Sequence, residues 1–176
     1  LVSHKGLDLV KGGVDNIMTY SNAQFVVLGS GDWEYEQFFK EMQAKYPGRF
    51  VLCQGFVPEL ARKIYGGSDI FLMPSKSEPC GLSQMVALRY GSIPVVRETG
   101  GLKDSITDSG DGKGNGFTFQ TYDTQDMLNS VHRAIYAYNE SKDGWKVLVE
   151  RAMACDNSWG RSANDYIRLY KQLINS

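Results

Sequence analysis

Apolar residues in the first half of the chain follow two alternating patterns. Near the N-terminus they recur at spacings of three, four, three and one, at Leu7, Val10, Val14, Ile17 and Met18. These spacings are typical of one buried face of a helix. A continuous apolar run, FVVL, then ends at a glycine and predicts a strand. Both patterns repeat, with helices predicted over residues 5–20, 33–46, 58–67 and 81–90 and strands in QFVVLGSGD, RFVLCQGF, DIFLMPS and SIPVV.

The four predicted strands are short, apolar and separated from one another by helices. This order is typical of a parallel sheet that helices cover on both faces through right-handed crossovers. The chain has 176 residues, which fits one ordinary domain. We therefore predict an α/β fold with a Rossmann-like, doubly wound parallel sheet.

The pattern changes after Gly101. The segment DSGDGKGNG, residues 108–116, has four glycines and no apolar residue, which predicts an exposed, mobile loop. The residues FTF after it predict a short strand. Helical patterns then cover residues 124–139, 142–154 and 162–173 without strands between them, so the C-terminal part is predicted to be a helical flank of the sheet.

Net charge, apolar runs and cysteine spacing limit the kinds of ligand and environment that the sequence predicts. The net charge of −1 provides no overall field that would attract nucleic acid or an acidic membrane, and no apolar run approaches the length of a membrane span. The three cysteines have no CxxC spacing, so neither a disulfide framework nor a zinc site is predicted and a reducing compartment is favoured. The chain opens on LV followed by a polar turn, which suggests a fragment that begins after or within a first strand.

The candidate chemistry lies where predicted strands end. Ligands of parallel sheets bind beyond the carboxyl ends of the strands, where turns into helices present backbone N–H groups. Three such turns carry small or polar residues: 30–32, 75–81 and 99–101. In the second, the carboxylate of Glu78 is placed to accept hydrogen bonds from sugar hydroxyls, and Gly81 permits a close approach of the backbone. Lys5 is a candidate point charge for a pyrophosphate.

Each of these residues also has a simpler interpretation. Glu78 is an acid before a helix, where it favours the helix dipole. Lys5 is an ordinary solvated lysine, Cys80 is an inert small apolar residue, and Thr-Gly-Gly is a turn. From the residues alone, the prediction is a Rossmann-like domain with an anion-binding or nucleotide-binding edge.

Four segments read together carry a family resemblance. HKGLDLV, VVLGSGD, PSKSEPCGLSQMVALRYGSIPVVRETGGLKDSI and DNSWGRSANDYIRLY resemble, in order, the bacterial glycogen synthases and plant starch synthases that use ADP-glucose. The resemblance implies the GT-B architecture, in which two Rossmann-like domains face each other across a cleft. Residues 1–176 would be the C-terminal, nucleotide-sugar-binding domain, without the N-terminal acceptor domain to which the last helix crosses in full enzymes.

The resemblance also assigns roles to single residues. It implies that Glu78 is the catalytic residue, which contacts the transferred glucose or its developing charge. Phe56 replaces a family tyrosine beside adenine, Lys76 replaces a common arginine, and Val86 departs from the residues that relatives carry near the ribose. The residues implied to bind substrate are Lys5, Phe56, Lys76, Cys80, Gly81, Leu82, Thr99, Gly100 and Gly101.

The implied reaction transfers glucose from ADP-glucose to the non-reducing end of an α-1,4-glucan, with retention at the anomeric carbon. ADP-glucose and the glucan are the implied partners, and no metal, cofactor, nucleic acid or membrane is implied. The resemblance also implies a cytoplasmic enzyme in bacteria or a plastid enzyme in plants. The isolated domain is expected to be inactive.

Two other functions stay open at this point. One is a related retaining GT-B transferase that uses UDP-glucose. The other is a non-catalytic glucan-binding module with sugar platforms at Trp33, Trp145 and Trp159.

Overall fold

The structure is a computed structural model that describes residues 1–174. Strands and helices alternate through the fourth strand, and the last three helices follow one another directly. The elements are α1 (Leu7–Tyr20), β1 (Phe25–Leu28), α2 (Trp33–Lys45), β2 (Phe50–Cys53), α3 (Pro58–Gly67), β3 (Ile70–Met73), α4 (Ser83–Tyr90), β4 (Ile93–Arg97), α5 (Gly100–Ser105), β5 (Phe117–Phe119), α6 (Thr124–Glu140), α7 (Lys142–Met153) and α8 (Trp159–Ile174).

The order of the predicted elements is confirmed, with one helix added. Sequence periodicity did not predict α5, which begins with two glycines, the poorest helix formers after proline. Only Leu102 of this helix is buried, so no repeating apolar pattern marks it. Its position depends on packing beside β4 rather than on local preference.

All strand pairs are parallel, which confirms the α/β class. Within residues 1–174 the strands form two hydrogen-bonded groups, β1–β2 and β3–β4–β5. Residues of β1 and β3 line a common groove between the groups. Parallel pairing places the carboxyl ends of the strands within each group at one edge.

A single apolar core connects the helices and strands. Val14 and Ile17 of α1 are buried, as the spacing of apolar residues predicted. Helix α1 packs closely on α6, since a Cβ at Gly13 would lie 2.8 Å from the Met127 side chain. The strand residues Val95 and Val96 are fully buried, which is typical of a strand covered on both faces.

Residues 110–113 of the glycine-rich segment 108–116 are exposed as predicted, but the residues on either side of them are not. Gly114 and Gly116 are buried, and a Cβ at Gly114 would lie 2.1 Å from the Asp108 carbonyl oxygen. Asp108 accepts two hydrogen bonds from the Arg133 guanidinium, at 3.0 and 2.6 Å, and others from backbone N–H groups of Gly110 and Thr118. Gly114 and Gly116 serve a close backbone packing, and composition alone does not distinguish that role from exposure.

We expect the Asp108–Arg133 pair to stabilise the protein in a pH-dependent way. Burial alone raises the pKa of Asp108, but the hydrogen bonds from Arg133, Thr118 and Gly110 outweigh it and lower the pKa to about 2. A depressed pKa means that the stabilisation is complete above about pH 4 and is lost as the pH falls through about 2. Asp108→Asn should therefore lower the free energy of unfolding at pH 7 by about 1 kcal/mol and have little effect near pH 2.

Denaturant unfolding at several pH values would measure this difference. Asp165→Asn is the matched control, because it removes an exposed pair with Arg168 inside one helix. A destabilisation by Asp108→Asn that is as large at pH 2 as at pH 7 would contradict the prediction.

Helix α8 is amphipathic but has no buried residue among those described. Its apolar side chains, including Tyr166, Tyr170 and Leu173, are exposed. Over the part of the chain that the structure describes, none of the helices combines the length and the apolar character that a membrane span needs.

Candidate functional site

The chain before α1 crosses from the end of β1 to the end of β3. The Asp32 N–H donates to the Leu1 carbonyl at 2.8 Å, and the Lys76 N–H donates to the His4 carbonyl at 2.9 Å. Gly6, at φ +75°, turns the chain into α1, where a Cβ would lie 2.0 Å from the Pro74 carbonyl oxygen. The close packing at Gly6 therefore places Lys5 directly beside the turn that follows β3.

Glu78 is almost completely buried at this turn, with 9% of its surface exposed. Its Oε2 lies 2.5 Å from the Nζ of Lys5 and 3.3 Å from the Oγ of Ser75. Helix α4 begins only at Ser83, and no side chain caps it. The simpler interpretation of Glu78 as an acid that serves the helix terminus therefore does not fit, because its carboxylate bonds to Lys5 and Ser75.

The turn after β4 packs against the turn that carries Glu78. The Gly101 N–H donates to the carbonyls of Glu78 and Pro79, at 3.1 and 3.3 Å. A Cβ at Gly100 would lie 2.2 Å from the Glu78 carbonyl oxygen, and one at Gly101 would lie 1.9 Å from that of Cys80. Any larger residue at either glycine would separate the two turns.

The residues between Glu78 and α4 present backbone groups. Gly81 has φ +70°, a left-handed conformation that favours glycine. Within residues 1–174, the N–H groups of Gly81 and Leu82 have no hydrogen-bond acceptor. The Leu82 side chain and the Cys80 thiol are exposed. The turn therefore offers two donors to a ligand oxygen.

Two cations lie over one tyrosine ring beside the same turn. The Lys76 ammonium is 5.6 Å and the Arg97 guanidinium 5.4 Å from the ring centroid of Tyr122. Arg97 also donates to the Lys76 carbonyl at 2.8 Å. The Tyr122 hydroxyl donates to the Asp8 carboxylate, and burial together with this hydrogen bond raises the pKa of Tyr122. The ring therefore stays neutral near pH 7.

The interpretation of the sequence missed Arg97 and Tyr122. The position of Arg97 at the end of β4, two residues before Thr99, was an available signal for a cation at this edge. Tyr122 carried no local signal, because only the packing of the segment before α6 brings its ring under the two cations.

The predicted site residues thus fall into two sets. Lys5 and Lys76, the turn at residues 78–82 and the turn at residues 99–101 come together. Phe56 lies beyond β2, which belongs to the other strand group, and 92% of the residue is exposed. Within residues 1–174, no group of three His, Cys, Asp or Glu side chains is arranged to hold a metal ion.

The three tryptophans do not form a common sugar platform. Trp145 is buried and packs edge-on against Tyr138. Trp33 and Trp159 are exposed, one at the start of α2 and the other at the start of α8. The prediction of a platform at Trp145 is therefore wrong, because its ring is part of the core.

Comparisons with a family model and with curated proteins both match this chain to glycosyl-transferring enzymes. Residues 1–144 match the family described as glycosyl transferases group 1. The chain is 49% identical to a glycogen synthase of Pseudothermotoga lettingae and 51% identical to one of Geobacillus thermodenitrificans, over 99% of this chain and 36% of each relative. It thus spans about a third of the length of these relatives.

Two solved structures also match most of this chain with less than half of their own length. The catalytic domain of starch synthase IV from Arabidopsis thaliana, bound to ADP and acarbose, is 37% identical with a TM-score of 0.85, over 100% of this chain and 37% of that one. The Anabaena protein Alr3699/HepE in complex with UDP-glucose is 17% identical with a TM-score of 0.68, over 88% of this chain and 41% of that one, and supports the fold alone.

Proposed function

Because the chain belongs to the group 1 glycosyl transferases, we propose that it is the C-terminal, nucleotide-sugar-binding domain of a longer glucosyltransferase. The acceptor-binding domain would lie in the part of the enzyme that this sequence does not cover. The enzyme would transfer glucose from ADP-glucose to the non-reducing end of an α-1,4-glucan, as a glycogen or starch synthase. The names of the relatives at 49–51% identity and of the starch synthase structure support this activity.

The observation that carries the proposal is the meeting of Lys5, Glu78 and two glycine turns at one edge of the strands. In the proposed complex, Lys5 and Lys76 attract the diphosphate, and the backbone of residues 99–101 approaches its oxygens. The free N–H groups of Gly81 and Leu82 bond to glucose hydroxyls. Phe56 provides an exposed aromatic face for adenine.

The proposed mechanism separates two opposite charges. As the bond between the anomeric carbon and the diphosphate oxygen breaks, negative charge grows on ADP and positive charge on the sugar ring. Lys5 and Lys76 stabilise the departing ADP, and the Glu78 carboxylate stabilises the ring. The acceptor hydroxyl, held by the other domain, attacks the face of the anomeric carbon that ADP leaves and gives its proton to the departing diphosphate, so the configuration is retained.

The exposed apolar face of α8 is consistent with a domain that is part of a longer enzyme. We propose that this face contacts the acceptor-binding domain. The compartment that we propose is the cytoplasm of a bacterium, or the plastid if the protein comes from a plant.

Titration with ADP and with UDP tests the proposal directly. We expect ADP to shift the amide resonances of Gly81 and Gly100 and UDP to bind more weakly. Lys5→Met should weaken ADP binding by about tenfold or more, because a charge-assisted hydrogen bond contributes about 1.5–3 kcal/mol.

The control is Lys11→Met, which breaks a similar pair with Glu34 on α1 and α2. No response of the Gly81 and Gly100 amides to millimolar ADP would contradict the proposal. Preferential binding of UDP would instead favour the UDP-glucose-dependent transferase.

A further inference from the structure

Gln84 is a buried polar side chain whose function the proposed reaction does not yet explain. It lies in the first turn of α4 and is 0% exposed. Burying an amide costs free energy unless hydrogen bonds compensate for the lost water. A buried side chain of this type therefore depends on the hydrogen bonds that it makes.

The Gln84 amide nitrogen faces three acceptors. It lies 2.8 Å from the carbonyl oxygen of Gly81, 3.2 Å from that of Cys80 and 3.1 Å from the Oγ of Ser105. The Ser105 hydroxyl in turn donates to the Gly101 carbonyl at 2.6 Å. A continuous chain of hydrogen bonds thus joins the turn before α4 to the first turn of α5.

These bonds also determine where the free donors of the turn point. In a trans peptide the C=O and N–H groups point in opposite directions, and the described chain has no cis peptide. Because Gln84 holds the carbonyls of Cys80 and Gly81 on its own side, the N–H groups of Gly81 and Leu82 face away from it. Neither of these two N–H groups has a hydrogen-bond acceptor in the described part of the chain.

The amide oxygen of Gln84 is buried and has no hydrogen-bond partner within residues 1–174. It lies 2.5 Å from the position that a Cβ at Gly81 would take. A Cβ at position 81 would therefore displace the end of the Gln84 side chain, and the φ angle of +70° separately favours glycine there. All of the hydrogen bonds of the Gln84 amide are therefore made by its nitrogen, and these bonds set the orientation of the side chain.

We infer that Gln84 is a positioning residue for sugar binding. Its amide holds the turn at residues 80–82 with its N–H groups directed at the ligand and, through Ser105, keeps that turn in register with Gly101. This inference rests on the proposed function, since the ligand that the turn would bind is ADP-glucose. Gln84 itself does not touch the ligand.

The test compares variants by calorimetric titration with ADP-glucose and by the amide resonances of Gly81 and Leu82. Gln84→Met keeps the length of the side chain and removes both donors, and we expect it to weaken binding by about tenfold. It should also increase local motion at the two amides. Ser105→Ala breaks only the link to Gly101, and we expect it to weaken binding severalfold. If Gln84→Met does not fold, the affinity of Ser105→Ala decides whether the positioning role holds.

Ser130→Ala is the matched control. Ser130 is buried, whereas Ser105 is half-buried, and like Ser105 it donates from its hydroxyl to a backbone carbonyl, that of Thr118, which belongs to neither turn. We expect a loss of stability comparable to that of Ser105→Ala, with unchanged affinity. A merely structural role for Gln84 and Ser105 predicts that affinity changes no more in their variants than in this control.

The outcomes separate the two proposals. A wild-type protein that binds neither ADP nor ADP-glucose contradicts the proposed function. A wild-type protein that binds, together with a folded Gln84→Met variant of unchanged affinity and unchanged Gly81 and Leu82 resonances, overturns the positioning role alone. Unchanged affinity in Ser105→Ala has the same meaning if Gln84→Met is unfolded.

Discussion

Replacing Glu78 by glutamine in the full enzyme should lower turnover by about a hundredfold or more. Glutamine keeps the shape and one acceptor oxygen of the side chain but removes the negative charge. In the proposed reaction that charge acts on the sugar as it becomes positive, so its contribution is larger in the transition state than in the ground state. Loss of one well-placed electrostatic group of this kind costs about 3 kcal/mol, or roughly a hundredfold in rate.

The burial of Glu78 is the reason to expect so large an effect. Only 11% of its side chain is exposed, so solvent screens its charge weakly. The affinity for ADP should change much less than turnover, because the carboxylate faces the sugar in the proposed complex. Steady-state kinetics with ADP-glucose and a glucan primer would measure both quantities.

Glu34→Gln is the matched control for this substitution. Glu34 also forms a short pair with a lysine, Lys11, at 2.6 Å, but 71% of its side chain is exposed and the pair lies outside the site. We expect nearly normal turnover for the control. Normal turnover of a folded Glu78→Gln enzyme would remove Glu78 from the catalytic role.

The second large effect is expected at Gly101. An alanine Cβ there would lie 1.9 Å from the carbonyl oxygen of Cys80, which is backbone and has no flexible end that could move away. The turns before α4 and α5 would have to separate, which would break the bonds from the Gly101 N–H to Glu78 and Pro79. Gly101→Ala should lower the free energy of unfolding by roughly 1–3 kcal/mol and greatly weaken ADP binding.

Gly67→Ala is a control for which we expect the free energy of unfolding to change in the opposite direction. Gly67 also lies in a helix and has no positive φ, but no atom lies within 4 Å of its Cβ position. Alanine should therefore stabilise the protein there, by about 0.5–1 kcal/mol, since it is the better helix former. Thermal unfolding of both variants would check the contrast. A Gly101→Ala protein as stable as wild type, with intact ADP binding, would show that the two turns do not need their close contact.

Much of the fold was predictable from local patterns. The spacing of apolar residues in α1 and the apolar run FVVL of β1 each depend on neighbours within a few positions. Glycine and proline marked several ends correctly, as at Pro58, where α3 begins. Glycine was misleading where it has a packing role, at Gly114 and Gly116 and at the start of α5.

The candidate site was predictable only in part. Glu78 and the Thr-Gly-Gly turn could be found because they follow predicted strands, and family resemblance added Phe56 and Lys76. Arg97, Tyr122 and Gln84 were not found, because each is an ordinary residue type in its own segment. Their place in the site depends on which backbone carbonyls and rings lie against them.

The sequence by itself determined the order of helices and strands, the parallel α/β class and the positions of the turns that end each strand. These features follow from short-range periodicity and from the restricted backbone angles of glycine and proline. Only the tertiary structure decided that Lys5 pairs with Glu78, 73 positions away, and that the Gly101 backbone bonds to the turn that carries Glu78. The physical reason is that such contacts depend on how whole strands and helices pack, and this long-range arrangement leaves no periodic signal in the residues that it brings together.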